Sequence, residues 1–89
     1  MLEREVRIQN RLGLHARAAA LLVQTANKYA SEITIEKDGV EVNGKSIMGL
    51  MMLAAAKGCS VVVRASGSDE SAAVAGIEAL IADKFHEEA

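Results

Sequence analysis

Apolar and polar positions alternate from the start of the chain: Leu2, Val6 and Ile8 stand among polar neighbours, which predicts a half-buried strand. Asn10 to Gly13 interrupts the pattern with loop residues. From Ala16 to about Tyr29 the period changes, and Ala19, Leu22, Val23, Ala26 and Ala30 recur at helical spacing. Ile33 and Ile35 then alternate with Thr34 and Glu36, Asp38-Gly39 makes a hairpin turn, and Val40 and Val42 mark the returning strand. Asn43-Gly44 ends it. Ser46 is placed as the N-cap of a short helix from Ile47 to about Ala56, stopped near Gly58. Ser60 to Ser66, with Val61, Val62 and Val63, is a further strand. After the turn Gly67-Ser68-Asp69, a last helix carries Val74, Ile77, Ile81 and Phe85 along one stripe.

The predicted order is βαββαβα over residues 1–89, a single domain of the α+β class in which helices pack on one face of an open sheet. Composition decides what fills it. Apolar residues make up 51% of the chain, yet there is one tyrosine, one phenylalanine and no tryptophan, so the core must be aliphatic. A net charge of −2 leaves no basic stripe to displace counterions, and stacking aromatics are missing, which argues against nucleic acid as a partner. Cys59 stands alone, so no intrachain disulfide can form; it reads as a small buried hydrophobe beside a strand. The charged N-terminus is no secretory signal, and no apolar run reaches the roughly eighteen residues of a membrane span. The expectation is a cytoplasmic protein that does not insert into membranes.

Chemistry concentrates at Gly13-Leu14-His15-Ala16-Arg17, which sets a histidine one residue before the alanine-rich helix and two before an arginine. The first turn of a helix has N–H groups without intrahelical partners and carries partial positive charge, so it attracts anions. An imidazole there is a candidate nucleophile. A phosphoryl group on its ring would find the Ala16 N–H and the Arg17 guanidinium waiting for the oxygens. The bland alternatives are a solvated or capping histidine and a solvated first-turn arginine, although the helix dipole mildly disfavours a cation at that end.

Other constellations are weaker. Gly39-Val40-Glu41-Val42-Asn43-Gly44-Lys45-Ser46 fits the G-x-x-x-x-G-K-S spacing of nucleotide-binding loops. Its central residues alternate as a strand, however, and amides committed to a neighbouring strand cannot cradle phosphates. His15 and His86 have no companions at ligand spacing and Cys59 is remote, so no metal site is predicted. His86 falls in the segment Asp83 to Glu88, read as a solvated tail. Ile47-Met48-Gly49-Leu50-Met51-Met52-Leu53 is apolar on every side; such a helix is either enclosed or offers a face to a partner, and methionine suits partners of several shapes.

Two of these segments belong together. Asn10-Arg11-Leu12-Gly13-Leu14-His15-Ala16-Arg17 with Ala19 and Leu22, and Lys45-Ser46-Ile47-Met48-Gly49-Leu50-Met51 some thirty residues on, resemble HPr, the histidine-containing phosphocarriers of the bacterial phosphotransferase system. The resemblance covers nearly the whole chain. It departs at Ala18, where the family usually has proline, and this bears on the stiffness of the first helical turn rather than on the histidine. The resemblance implies a four-stranded antiparallel sheet covered on one face by three helices, an open-faced sandwich. It implies that Nδ1 of His15 takes a phosphoryl group from phosphoenolpyruvate through enzyme I and hands it to the A domains of sugar permeases. Arg17 and the Ala16 amide would hold the oxygens. Ile47, Met48 and Met51, with Leu14 and Gln24, would form the docking patch. Ser46, besides capping its helix, would be a regulatory site for a dedicated ATP-dependent kinase (HPr kinase/phosphorylase). Such a protein is a carrier rather than a stand-alone enzyme and needs no cofactor or metal, and an exposed relay surface suits a monomer. Two further readings remain: a regulatory paralogue such as a nitrogen-branch carrier, and an interaction module whose methionine-rich helix binds one partner.

Overall fold

Four alternating segments become strands: β1 (Leu2–Arg7), β2 (Glu32–Lys37), β3 (Val40–Asn43) and β4 (Ser60–Ser66). Three helices, α1 (Ala16–Ala26), α2 (Ile47–Met52) and α3 (Glu70–Ala82), complete the order βαββαβα in the computed structural model, which describes residues 1–87. The sheet runs β1-β4-β2-β3 and is antiparallel throughout. The most apolar strand, β4, lies between β1 and β2, pairing Val61 with Val6 and Val63 with Ile35.

One face of this sheet is dry. Val6, Ile33, Ile35, Val61, Val63 and Ala65 turn into the core, where they meet Ala18, Ala19, Leu22 and Ala26 of α1 and Ala73, Val74, Ile77, Leu80 and Ile81 of α3. Alanines on the inner side of α1 let that helix approach closely. The core is aliphatic, as composition required, with Phe85 its one fully buried aromatic. The other face is polar: Arg64 of β4 reaches Glu3 of β1 at 2.8 Å and Glu41 of β3 at 3.0 Å, and it also bridges Glu36 of β2. Solvent screens these partly exposed pairs; they show which face carries no helix.

Helix ends are where pattern and structure part. The first helix stops at Ala26 instead of near Tyr29, because Lys28 and Tyr29 donate to Thr25 and Ala26 in a tightened last turn. Asp69 then captures the exit, accepting from the amides of Ala30 and Ser31 at 2.8 and 3.0 Å and from the Ser31 hydroxyl. The second helix ends at Met52 rather than near Ala56, two residues before Ala54 takes a left-handed φ of 50°. The third ends at Ala82, short of Phe85. Lys84, Phe85 and His86 adopt φ of 57°, 54° and 58°, a left-handed turn that costs non-glycine residues about 1–2 kcal/mol each. Burial of Phe85 offsets part of that cost. The turn also corrects the reading of Asp83 to Glu88 as a solvated tail: His86 is exposed, but the described part of the segment docks. Cys59 is half-buried rather than buried.

Two predictions arise from this framework. Gly13 has φ +67°, and a Cβ there would sit 2.5 Å from the Ala55 carbonyl oxygen, whereas Gly39, at φ +83°, has nothing within 4 Å. Gly39→Ala is therefore expected to cost about 1–2 kcal/mol and Gly13→Ala about 3 kcal/mol or more in urea unfolding, since only the latter adds a clash to backbone strain. The Asp69 carboxyl is held below the ordinary carboxylate range, first by the Ser31 hydroxyl and then by the Ala30 amide, against an opposing effect of burial. Its stabilisation is present above the unfolded carboxylate pKa and disappears as pH falls through the lower native value. Asp69→Asn should lower Tm at pH 7, and calorimetry on acidification should show the gap to the unsubstituted protein closing.

Candidate functional site

The loop before α1 is built to turn His15 outward. Gly13 supplies a left-handed residue, its amide donates to the Asn10 carbonyl at 3.2 Å, and the Asn10 side-chain amide donates to the Gly13 carbonyl at 2.8 Å. Leu14 donates its N–H to the Ala55 carbonyl at 2.8 Å and buries its side chain, with 6% left exposed. That burial leaves Leu14 little surface to offer a partner. In an extended backbone successive side chains point opposite ways, so an inward Leu14 sends His15 to the surface.

His15 is the N-cap of α1, with φ −80° and ψ −178°, and its ring makes no capping bond, so the imidazole is not tied up by its own helix. The first helical hydrogen bond runs from the Ala19 N–H to the His15 carbonyl at 2.8 Å. Among the described residues, the N–H groups of Ala16, Arg17 and Ala18 therefore have no acceptor. Proline at position 18 would remove one of those donors; Ala18 keeps it. No acidic side chain occupies the first turn. Arg17 is exposed and forms no ion pair among the described residues. Three unpartnered amides, the positive end of an eleven-residue helix and an uncommitted arginine thus follow directly on a residue whose side chain is 30% exposed.

One member of the site went unread in the sequence. Glu87, only 12% exposed, places Oε2 at 3.4 Å from His15 Nε2. Its carboxylate also accepts from Asn10 Nδ2 at 2.9 Å and from the Leu12 amide at 3.2 Å. These contacts, the Asn10 bond foremost, then the Leu12 amide and His15, hold its pKa below the usual range despite burial. Nothing local could have disclosed it: Glu87 lies 77 positions from Asn10, and only the left-handed turn returns it.

Next to this lies an apolar surface. The second helix packs against α1 and sends Leu50 into the core, leaving Ile47 and Met51 partly exposed and Met48 and Met52 77% exposed. Met52, which the sequence pattern does not single out, is as exposed as Met48. Gln24 is exposed on α1. Ser46 accepts from the Gly49 amide at 3.1 Å, the capping bond expected of it. The nucleotide-loop spacing dissolves: Val40–Asn43 is strand β3, the Gly44 N–H donates to the Ile33 carbonyl at 2.8 Å, and Lys45 Nζ is held by the Tyr29 carbonyl at 2.9 Å. Among the described residues no group of three His, Cys, Asp or Glu is placed to hold a metal, and no helix is long and apolar enough to cross a membrane.

Residues 2–83 match the PTS-HPr family model, described as the PTS HPr component phosphorylation site. The phosphocarrier protein HPr of Xylella fastidiosa (strain Temecula1) is 49% identical over 88 residues, covering 99% of each chain. The crystal structure of HPr-C-His from Thermoanaerobacter tengcongensis superposes with a TM-score of 0.96 at 49% identity, covering 100% of both chains. Crh of Bacillus subtilis, a catabolite-repression protein described as a domain-swapped dimer, is 44% identical with a TM-score of 0.76 over 94% of this chain and 97% of that one. A dimer this similar removes the support for the monomer expected from an exposed relay surface. Fold, motif and near-full-length identity agree: the chain belongs to the HPr family of phosphotransferase-system phosphocarriers.

Proposed function

We propose that this protein carries a phosphoryl group on His15, receiving it in the cytoplasm from phospho-enzyme I and delivering it to the A domains of sugar permeases. The observation that supports the reading is a histidine at the N-cap of α1, followed by three amides without acceptors and by an exposed Arg17 that forms no ion pair among the described residues. Phosphoryl transfer asks a protein mainly for positioning and charge stabilisation. The Nδ1 lone pair attacks phosphorus, the bond to the donor breaks with its electron pair staying on the donor, and the oxygens turn toward the Ala16, Arg17 and Ala18 amides. Onward transfer reverses these roles, the imidazole then leaving with its electron pair.

Ile47, Met48, Met51 and Met52, with Gln24, are assigned to partner docking, because an apolar helix anchored by Leu50 alone leaves them beside the site. Phosphorylation of Ser46 by an ATP-dependent kinase would add about 1.5 to 2 negative charges at the edge of that surface while respecting the helix terminus it caps. Likeness to Crh favours keeping a regulatory paralogue as the second reading. Retention of His15 favours the carrier, since a form controlled only through Ser46 has no need of it. Oligomeric state is best measured by sedimentation.

The decisive experiment is incubation with phosphoenolpyruvate and enzyme I. An acid-labile, base-stable phosphate should appear on the unsubstituted protein and be missing from His15→Ala; no labelling of either rejects the carrier reading. In the same assay Met48→Asp and Ser46→Asp should each slow labelling by at least about tenfold, because each sets an unpaired carboxylate against a surface that must be desolvated. Circular dichroism should show both folds intact, and normal transfer rates would remove the docking face and the Ser46 switch respectively.

A further inference from the structure

We propose that Glu87 is a positioning residue for His15: its carboxylate holds the ring proton on Nε2 and so leaves the Nδ1 lone pair free to take the phosphoryl group. The inference rests on His15 being the acceptor. A neutral imidazole has one N–H donor and one acceptor nitrogen, and which is which depends on the partners. A carboxylate can only accept, so the nitrogen that faces Glu87 Oε2 across 3.4 Å, longer than a formed hydrogen bond, is the one that gains from carrying hydrogen.

The carboxylate is itself fastened. Leu12 donates its amide to Oε1 at 3.2 Å, and Asn10 Nδ2 reaches Oε2 at 2.9 Å. The orientation of the Asn10 amide is dictated by its neighbours, because both groups that its nitrogen meets, the Gly13 carbonyl and Glu87, are acceptors. Its own Oδ1 is left buried without a partner. A flipped amide would trade that one orphan oxygen for two repulsive contacts, so the clamp on Glu87 is the better arrangement. The left-handed turn at Lys84–His86 aims the carboxylate at this point, and the lowered pKa of Glu87 keeps it ionised there.

The step balances without an external acid or base. Nδ1 attacks phosphorus, the donor keeps the electron pair of the broken bond, and the Nε2 proton stays where it was. The product ring, phosphorylated on Nδ1 and protonated on Nε2, is cationic, and the Glu87 carboxylate faces that charge. The contact should shorten in this state, as catalytic hydrogen bonds do on the way from the resting form. When the group moves on, the ring is released in the same tautomer, ready for another cycle.

The test combines a spectroscopic readout with a rate. Two-bond ¹H–¹⁵N spectra of uniformly ¹⁵N-labelled protein should report His15 as the Nε2–H tautomer, and in Glu87→Leu they should report a mixture. With phosphoenolpyruvate and enzyme I, Glu87→Leu should lose roughly tenfold in maximal transfer rate, the worth of a hydrogen bond to a charged group, at an unchanged half-saturating enzyme I concentration. Glu87→Gln, which keeps the shape, guards against a loss that reflects misfolding; it too should be slowed, since it lacks the charge opposite the phosphorylated ring. A folded Glu87→Leu protein with the tautomer ratio of the unsubstituted one overturns the proposal, as does an altered ratio with an unaltered rate. If the unsubstituted protein takes no label, the carrier reading falls and takes this proposal with it; a labelled protein with indifferent Glu87 variants overturns this proposal alone.

Discussion

Leu14 enters the core while its N–H is taken by the Ala55 carbonyl, and these two contacts fix the direction in which the chain leaves the loop. Everything at the site follows from that direction. The next residue is forced outward at the moment the helix begins, so an imidazole and a row of unused amides come to share one small region of surface. Hydrophobic burial, which has no chemistry of its own, thereby aims the chemistry. The same economy appears at the sheet: burying the inner residues of β2 and β4 fixes the helices on that side and leaves the opposite side to Arg64 and its carboxylates.

The second helix owes its character to the thinness of this architecture. A two-layer domain has one interior, and α1 and α3 occupy most of it. A short helix lying beside α1 has room to insert Leu50 and little else, so an all-apolar sequence there must face outward. Exposed methionines are a liability for solubility unless something covers them part of the time. Transient coverage is what a relay between several proteins requires, and thioether side chains re-pack readily against different shapes.

Much of this could be read in the chain because much of it is local. Period-two alternation marks β1, β2 and β3, and the run Val61-Val62-Val63 marks β4, the strand that lies between two others. Ser46 declared its helix by the chemistry of capping. The nucleotide-loop spacing is spurious because alternation at Val40 and Val42 commits the segment to pairing with β2. Helix ends are less legible: the helical pattern runs past Ala26 in α1, past Met52 in α2 and through Phe85 in α3. Each is closed by a tight turn or a left-handed residue, and the exit of α1 is held by Asp69, far along the chain. The inward turn of Leu14 is illegible for a related reason, because a single inward residue in a loop has no period to betray it. Glu87 was missed because its importance is wholly tertiary, created by a backbone conformation that its own sequence disfavours.

That turn at Lys84–His86 has one further consequence. It fastens the end of the described chain to the loop that opens α1, so two regions that usually fray independently become a single cooperative unit. Opening of the C-terminal segment and loosening of the residues around Asn10 should share one free energy, and their amide protons should exchange with solvent together. The order of the loop before α1 is then borrowed from Glu87 and the turn that places it. Variation near residue 87 becomes a means of tuning it without touching the helix that carries it.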